Sequence, residues 1–239
     1  MLLPYFFINS FDNSNTIVLS EETSKHCIQV LRMKEDEHLQ LTDGNGNLII
    51  GRIINPDKKH CAVAVEEKKT IDQKTKKIFI AISLLKNATR FEWFLEKGTE
   101  IGVSGIFPMI CERTECQRFR YERMKNILVA AMLQSEQAWL PFLHEPQSFE
   151  KTVSSFCHDQ RLIAHCENDE SKNNIAFKAV SNETIVLIGP EGDFTRDEID
   201  LAVKYKFQSV SLGHTRLRSE TAAIVAATLL ANGPYKTIP

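Results

Sequence analysis

"LIGPEGDFTRDEID", residues 187–200, is the stretch on which the fold turns. An aliphatic run, Ile185 to Ile188, stops at Gly189 and Pro190. Glu191, Gly192 and Asp193 follow, and Thr195-x-x-Glu198 then has the form of a capping box that opens a helix. Strand, tight glycine turn, helix is the geometry of a ligand loop at the carboxyl end of a strand in an open α/β sheet. Phosphate binders put a lysine in such a turn, but no G-x-x-x-x-G-K-[ST] occurs, nor any G-x-G-x-x-G after a strand. Glu191 would repel a polyphosphate and suits a zwitterionic or cationic ligand better. A tight turn with a solvated glutamate fits these residues equally well.

Working outward, the same alternation continues. "IFIAISLL" (78–85), "GIFPMIC" (105–111), "RLIAHC" (161–166) and "SVSLG" (209–213) read as buried strands. "RFEWFLEKGTEIG" (90–102), "ERMKNILVAAMLQSEQAW" (122–139), "TRDEIDLAVKYK" (195–206) and "ETAAIVAATLLAN" (220–232) read as helices. This predicts an α/β domain with a mostly parallel sheet. The loops after Ile163, Ile188 and Leu212 then face one edge of that sheet, and Gly189, Gly192 and Gly213 permit close backbone approach there.

The first third reads differently. "TIVLS" (16–20), "HLQLTD" (38–43), "NLIIGRII" (47–54) and "CAVAVEE" (61–67) are short strands, with a hairpin signal in "TDGNGNL" (42–48). The opening "MLLPYFFINSFDNSN" lacks a basic leader and reads as a first strand, not a signal peptide. One helix is expected over 20–34, capped by Ser20 or Thr23. Several short strands and one helix suggest a small barrel. The charged stretch from Glu66 to Lys77 reads as a linker to the α/β part.

Composition bounds the function classes. The chain has 239 residues, 43% hydrophobic and 25% charged, an ordinary balance for a soluble globular protein. Net charge is −2, so any nucleic-acid contact must come from a local patch. No apolar run reaches membrane-spanning length. Six scattered cysteines are expected as reduced thiols of a cytoplasmic protein, and no set has zinc-ligand spacing, so no metal is expected. Basic residues concentrate in "KTKK" (74–77), Lys86, Arg90 and Lys97, and again in "RTECQRFRYERMK" (113–125) with Phe119 and Tyr121 interleaved. Such a mixture fits RNA backbone contact and base stacking, and fits a solvated helix face as well.

At the level of whole blocks, "LIGPEGDFTRDEI" and "SLGHTRLRSETAAIVAATLL" resemble the two C-terminal signatures of the RsmE family, bacterial 16S rRNA (uracil-N3)-methyltransferases of the SPOUT, or trefoil-knot, superfamily. "HCIQVLRMKEDEHLQLTDGNG" and "RFEWFLEKGTEIGVSGIFPMICERTE" resemble its N-terminal and central blocks, so the likeness covers nearly the whole chain. It implies a PUA-like RNA-binding β-barrel over residues 1–70 and a SPOUT α/β-knot methyltransferase domain over 74–239. It implies S-adenosyl-L-methionine as cofactor, 16S rRNA of the small ribosomal subunit as partner, a homodimer, and a cytoplasmic enzyme. A SPOUT enzyme acting on another RNA position is the alternative.

Carried over by position, the cofactor loops would be Ile188, Gly189, Pro190, Glu191 and Gly192, then Leu212, Gly213, Leu217, Arg218, Thr221 and Ala222, with Ala164 and His165 from the first loop. His26, Arg32, Lys86 and Arg90 are the RNA-contact candidates. Arg218 is the candidate donor to a uracil oxygen, and Glu220 is either a base or a helix N-terminal residue complementing the dipole. The chain departs from the family pattern at Tyr5, Leu133 and Gln137, and Asp193 stands where a second glycine is common.

Overall fold

A computed structural model of the chain describes residues 3–167, 173–175 and 181–232. It divides into two compact units, Met1–Gln73 with Met132–Leu140, and Lys74–Ala131 with Pro141–Pro239.

The first unit is a curled sheet of β1 (Tyr5–Phe7), β2 (Thr16–Val18), β3 (His38–Thr42), β4 (Asn47–Asn55) and β5 (Ala62–Thr70), in the order β1-β3-β4-β5-β2. β1 runs parallel to β3, and the other pairs are antiparallel. Side chains alternate across a strand, so Leu39, Leu41, Ile49, Ile53 and Val63 share the inner face and are fully buried. Each such side chain contributes about 1.5–3 kcal/mol relative to exposure. The expected hairpin forms between β3 and β4. A side chain at Gly46 would meet the Trp139 ring at 2.5 Å, and its φ of 85° already favours glycine.

Two expectations fail here. The charged stretch after Val65 is not all linker, because β5 runs to Thr70 and pairs with β4 from Asn47 to Ile50. Its last five residues are exposed, so their composition is that of a loop although their backbone is paired. The helix expected over 20–34 is also shorter. Ser20 caps α1 (Glu21–Lys25), accepting from the Thr23 amide at 3.2 Å. The chain then widens into a π-helical turn over His26–Val30 and reverses at Arg32, whose φ is 58°. Cys27 and Met33, both buried, hold this turn against the sheet.

The second unit is an eight-stranded, all-parallel sheet. Its strands are β6 (Lys77–Ser83), β7 (Gly105–Ile110), β8 (Phe142–Leu143), β9 (Gln147–Ser148), β10 (Gln160–Ala164), β11 (Asn173–Asn174), β12 (Glu183–Ile188) and β13 (Gln208–Ser211). The order is β11-β13-β10-β12-β6-β7-β8, with β9 also beside β7. β12 is central, and Thr184 to Ile188 are all buried, which is why its sequence is a continuous apolar run and not an alternation. The helices are α2 (Ala88–Ile101), α3 (Tyr121–Gln134), α4 (Phe149–Ser155), α5 (Arg196–Lys204) and α6 (Ser219–Asn232). α6 packs on α2 and β6. Phe149 and Val153 of α4, Phe194, and Ile199 of α5 fill the core on one face. β8, β9 and α4 were not foreseen; the local signal was Ser148, whose hydroxyl caps α4 by accepting from the Lys151 amide.

The helix expected over 122–139 ends at Gln134. Glu136 adopts a φ of 54°, and residues up to Leu140 belong to the first unit. There the Trp139 indole N–H donates to the Ile71 carbonyl at 2.9 Å, and the Tyr5 hydroxyl donates to the Gln137 carbonyl at 3.0 Å. Tyr5 and Gln137, two of the departures from the family pattern, therefore touch.

Candidate functional site

The carboxyl ends of β10, β12 and β13 are neighbours in the sheet, and the loops that leave them enclose a cavity of about 940 Å³. Its floor is buried backbone and apolar surface at Ile188, Gly189 and Pro190, continued by Leu212, Leu217 and Ala222. Gly213 has a φ of 140° with open space around it, so a side chain there would meet backbone strain and no obstruction. One wall carries the carboxylates of Glu167, Glu191 and Asp193. The opposite rim, the loop from β13 to α6, carries exposed His214, Arg216 and Arg218. None of these three makes an ion pair among the described residues.

The carboxylates are not idle. Glu191 accepts from the Lys86 backbone N–H at 3.0 Å, which ties the β12 loop to the loop after β6. That is one reason for a carboxylate at this point of the turn. Arg113, after β7, donates to the Gly192 carbonyl at 2.7 Å and reaches the Phe194 carbonyl at 3.4 Å. Asp193, with a φ of 64°, accepts from the Cys166 amide at 2.7 Å and from the Phe194 amide at 2.8 Å. Glu167 pairs with Arg196 at 2.7 Å and raises the guanidinium pKa, helped by Asp200. His165 shares a hydrogen bond with the Ser209 hydroxyl at 3.0 Å.

Behind the cavity the capping box is complete. Thr195 accepts from the Glu198 amide, and Glu198 Oε2 accepts from the Thr195 amide at 2.9 Å. The other oxygen of this buried carboxylate accepts from the Glu112 amide at 2.9 Å. One residue so closes a helix start and fastens it to the loop that presents Arg113.

Of the residues expected to hold the cofactor, all but Gly192 and Thr221 line this one cavity. Gly192 faces Arg113 instead: a Cβ there would sit 3.3 Å from that side chain. Glu220 is also outside the lining. Its side chain is buried, Oε1 lies 3.7 Å from Nε of Arg90, and Oε2 has no hydrogen-bond partner among the described residues. Of the RNA candidates, Lys86 pairs with Glu115 at 2.6 Å. His26 and Arg32 are exposed in the first unit, where the His26 ring lies edge-on to Phe6. Sequence reasoning missed Cys166, Glu167, His214, Thr215, Arg216 and Ser219 as cavity residues. Their signal was location: each lies in the loop after β10 or in the stretch from β13 to the start of α6, both already singled out. Among the described residues no group of three or more His, Cys, Asp or Glu is arranged to hold a metal, and no helix is long and apolar enough to cross a membrane.

Comparison with known families agrees with this arrangement. The model of an RNA methyltransferase domain matches residues 72–231, and that of an RNA methyltransferase PUA domain matches residues 19–66. The parallel sheet with its three-loop cavity, preceded by a PUA-like curled sheet, is therefore that of a SPOUT-type RNA methyltransferase. More particularly, the chain belongs to the ribosomal RNA small subunit methyltransferase E family. It is 30% identical to the protein of that name from Synechocystis sp., over 88% of this chain and 71% of the other. A crystal structure of a probable rRNA-methyltransferase from Porphyromonas gingivalis matches with a TM-score of 0.89 at 33% identity, covering 96% and 98% of the two chains. That of a ribosomal RNA small subunit methyltransferase E from Neisseria gonorrhoeae bound to S-adenosyl methionine matches at 0.85, with 25% identity and 97% and 98% coverage.

Proposed function

We propose that this protein methylates N3 of a uridine in 16S rRNA of the small ribosomal subunit, with S-adenosyl-L-methionine as methyl donor. The observation that carries the reading is the cavity at three adjacent strand ends, with Arg218 exposed on its rim and held by no carboxylate among the described residues. The cavity's volume lies in the range of small-molecule sites. Its donor set also fits the cofactor: exposed backbone and apolar surface for an adenosine, carboxylates for a cationic sulfonium and ammonium, and no phosphate lysine. Ile188, Gly189, Pro190, Leu212, Leu217 and Ala222 would hold it. When bound, it supplies an electrophilic methyl group.

The residues of the chain then have defined tasks. The tie between the loops after β10 and β12 fixes part of the geometry in advance, and alignment of reacting groups can supply about 7–11 kcal/mol of a barrier in favourable cases. Uracil must lose the N3 proton, whose pKa is well above neutral, and negative charge then grows on its ring oxygens. Arg218 donates to one of those oxygens. Glu220 faces Arg90 and not the cavity, so we assign it the orientation of Arg90 and leave proton abstraction to solvent. His26, Arg32, Lys86 and Arg90 contact the RNA. A second copy of the chain, packed on the partly buried apolar residues of α6 such as Ile224, Val225 and Leu229, completes a homodimer in the cytoplasm.

RNA held by several phosphate contacts releases counterions, so affinity for small subunits should fall steeply and linearly in log–log form with salt. Replacing Arg32 with alanine should reduce that slope by about 1, since one phosphate contact is lost. Filter binding across a salt series checks this. Salt-independent binding, or methylation of free uridine as fast as of subunits, would refute the RNA reading.

A further inference from the structure

We propose that Asp193 is a positioning residue for the cofactor site: its carboxylate latches the loop after β10 onto the loop after β12, and so pre-forms one wall of the cavity. The inference rests on the cofactor reading above. Ala164, His165 and Cys166 all line the cavity; Ala164 ends β10 in the sheet, and His165 and Cys166 follow it outside the strand. Two of the contacts between this loop and its neighbour differ in kind. One is the Glu167–Arg196 ion pair, with the Arg196 side chain 69% exposed, where solvent and salt screen it heavily. The other is the Cys166 amide donating to Asp193 Oδ2 at 2.7 Å, a short, charge-assisted bond. The second is the stronger of the two and acts on the backbone itself.

Asp193 holds this position at a conformational cost. Its φ of 64° lies in the left-handed region, which glycine enters freely and other residues do not, although aspartate and asparagine tolerate it best. Its other oxygen accepts from the Phe194 amide and its own amide donates to the Pro190 carbonyl, so the carboxylate is aimed at Cys166 by the turn that carries it. Glycine would relieve this strain but would lose both accepted bonds. The carboxylate is accounted for by what it does for the loop across the cavity.

This gives two quantities that should move by different amounts. In Asp193→Gly relief of the left-handed strain offsets part of the loss of two accepted bonds, so the thermal midpoint should shift by only a few degrees. S-adenosyl-L-methionine affinity should nevertheless fall at least tenfold, because the β10 loop must be ordered at the expense of binding. Asp193→Asn tolerates the same φ and keeps one acceptor oxygen; turned to the Cys166 amide it preserves the latch and gives up the Phe194 bond, so its affinity should stay within about threefold of the wild type. Calorimetry with the cofactor and hydrogen exchange at the Cys166 amide, measured without cofactor, provide the readouts. Faster Cys166 exchange and weaker binding in Asp193→Gly, both restored in Asp193→Asn, support the latch. Unchanged affinity in Asp193→Gly, or equal loss in the two variants, overturns it. A wild-type protein that fails to bind the cofactor overturns the cofactor reading as well, while the exchange measurement still reports whether the latch exists.

Discussion

Replacing Arg218 with alanine should lower kcat by about 10²–10³, or about 2.7–4 kcal/mol, the usual effect of removing one donor to a developing oxyanion. Cofactor affinity should change little. The reason is the placement of the residue. Arg218 lies on the exposed rim of the cavity, with no ion-pair partner among the described residues, while the apolar floor is made by others. A guanidinium with no carboxylate beside it keeps all of its N–H donors for a substrate. Raising the pH should partly rescue the variant, since N3 then ionises with less assistance. If Arg218 only braces its loop, cofactor affinity and thermal stability will fall together while turnover at saturating cofactor stays normal, and that pattern would remove it from the chemistry.

The second large effect is expected at Glu198. Its carboxylate is buried and accepts from the Thr195 and Glu112 amides, both at 2.9 Å. Alanine would leave two backbone donors short of an acceptor and open a helix cap, a loss of about 2–4 kcal/mol from the unit that contains it. Glutamine retains one acceptor oxygen and should lose less than half of that. Cofactor affinity should weaken too, because Glu112 adjoins Arg113, which holds the Gly192 carbonyl. Urea unfolding of the two variants measures the effect. A change below about 0.5 kcal/mol, the range of ordinary surface substitutions, would show that the capping box is not integral to the loop system.

Glu198 also marks the border of what the sequence makes legible. The Thr195-x-x-Glu198 spacing announced a helix start, because both groups act within one turn of chain. That the same carboxylate reaches Glu112 could not be read, since no local pattern encodes a bond across the sheet. The same holds for Asp193 and Cys166, for Arg113 and Gly192, and for Lys86 and Glu191. Each joins loops from different strands, brought together only by the strand order. The α/β class, the central strand Glu183–Ile188 and the hairpin around Gly44 to Gly46 were legible from periodicity and turn chemistry. The exposed end of β5 and the early stop of α3 were not. In the first, paired backbone carries loop-like side chains; in the second, Trp139 has a better place in the first unit than on a helix. The resemblance supplied the family and the candidate loops, and the geometry separated Gly192, Thr221 and Glu220 from the residues that line the cavity.

The most direct test is to map methylated nucleotides by mass spectrometry in rRNA from cells lacking this protein. The proposed function predicts that a single uridine of the small-subunit rRNA loses a base methyl group at N3. It predicts that the wild-type chain restores the methyl group and that the Arg218→Ala variant restores it slowly or not at all. Small-subunit rRNA with its uridine methylation intact, together with a methyl group missing from a transfer RNA or from another base, would contradict it.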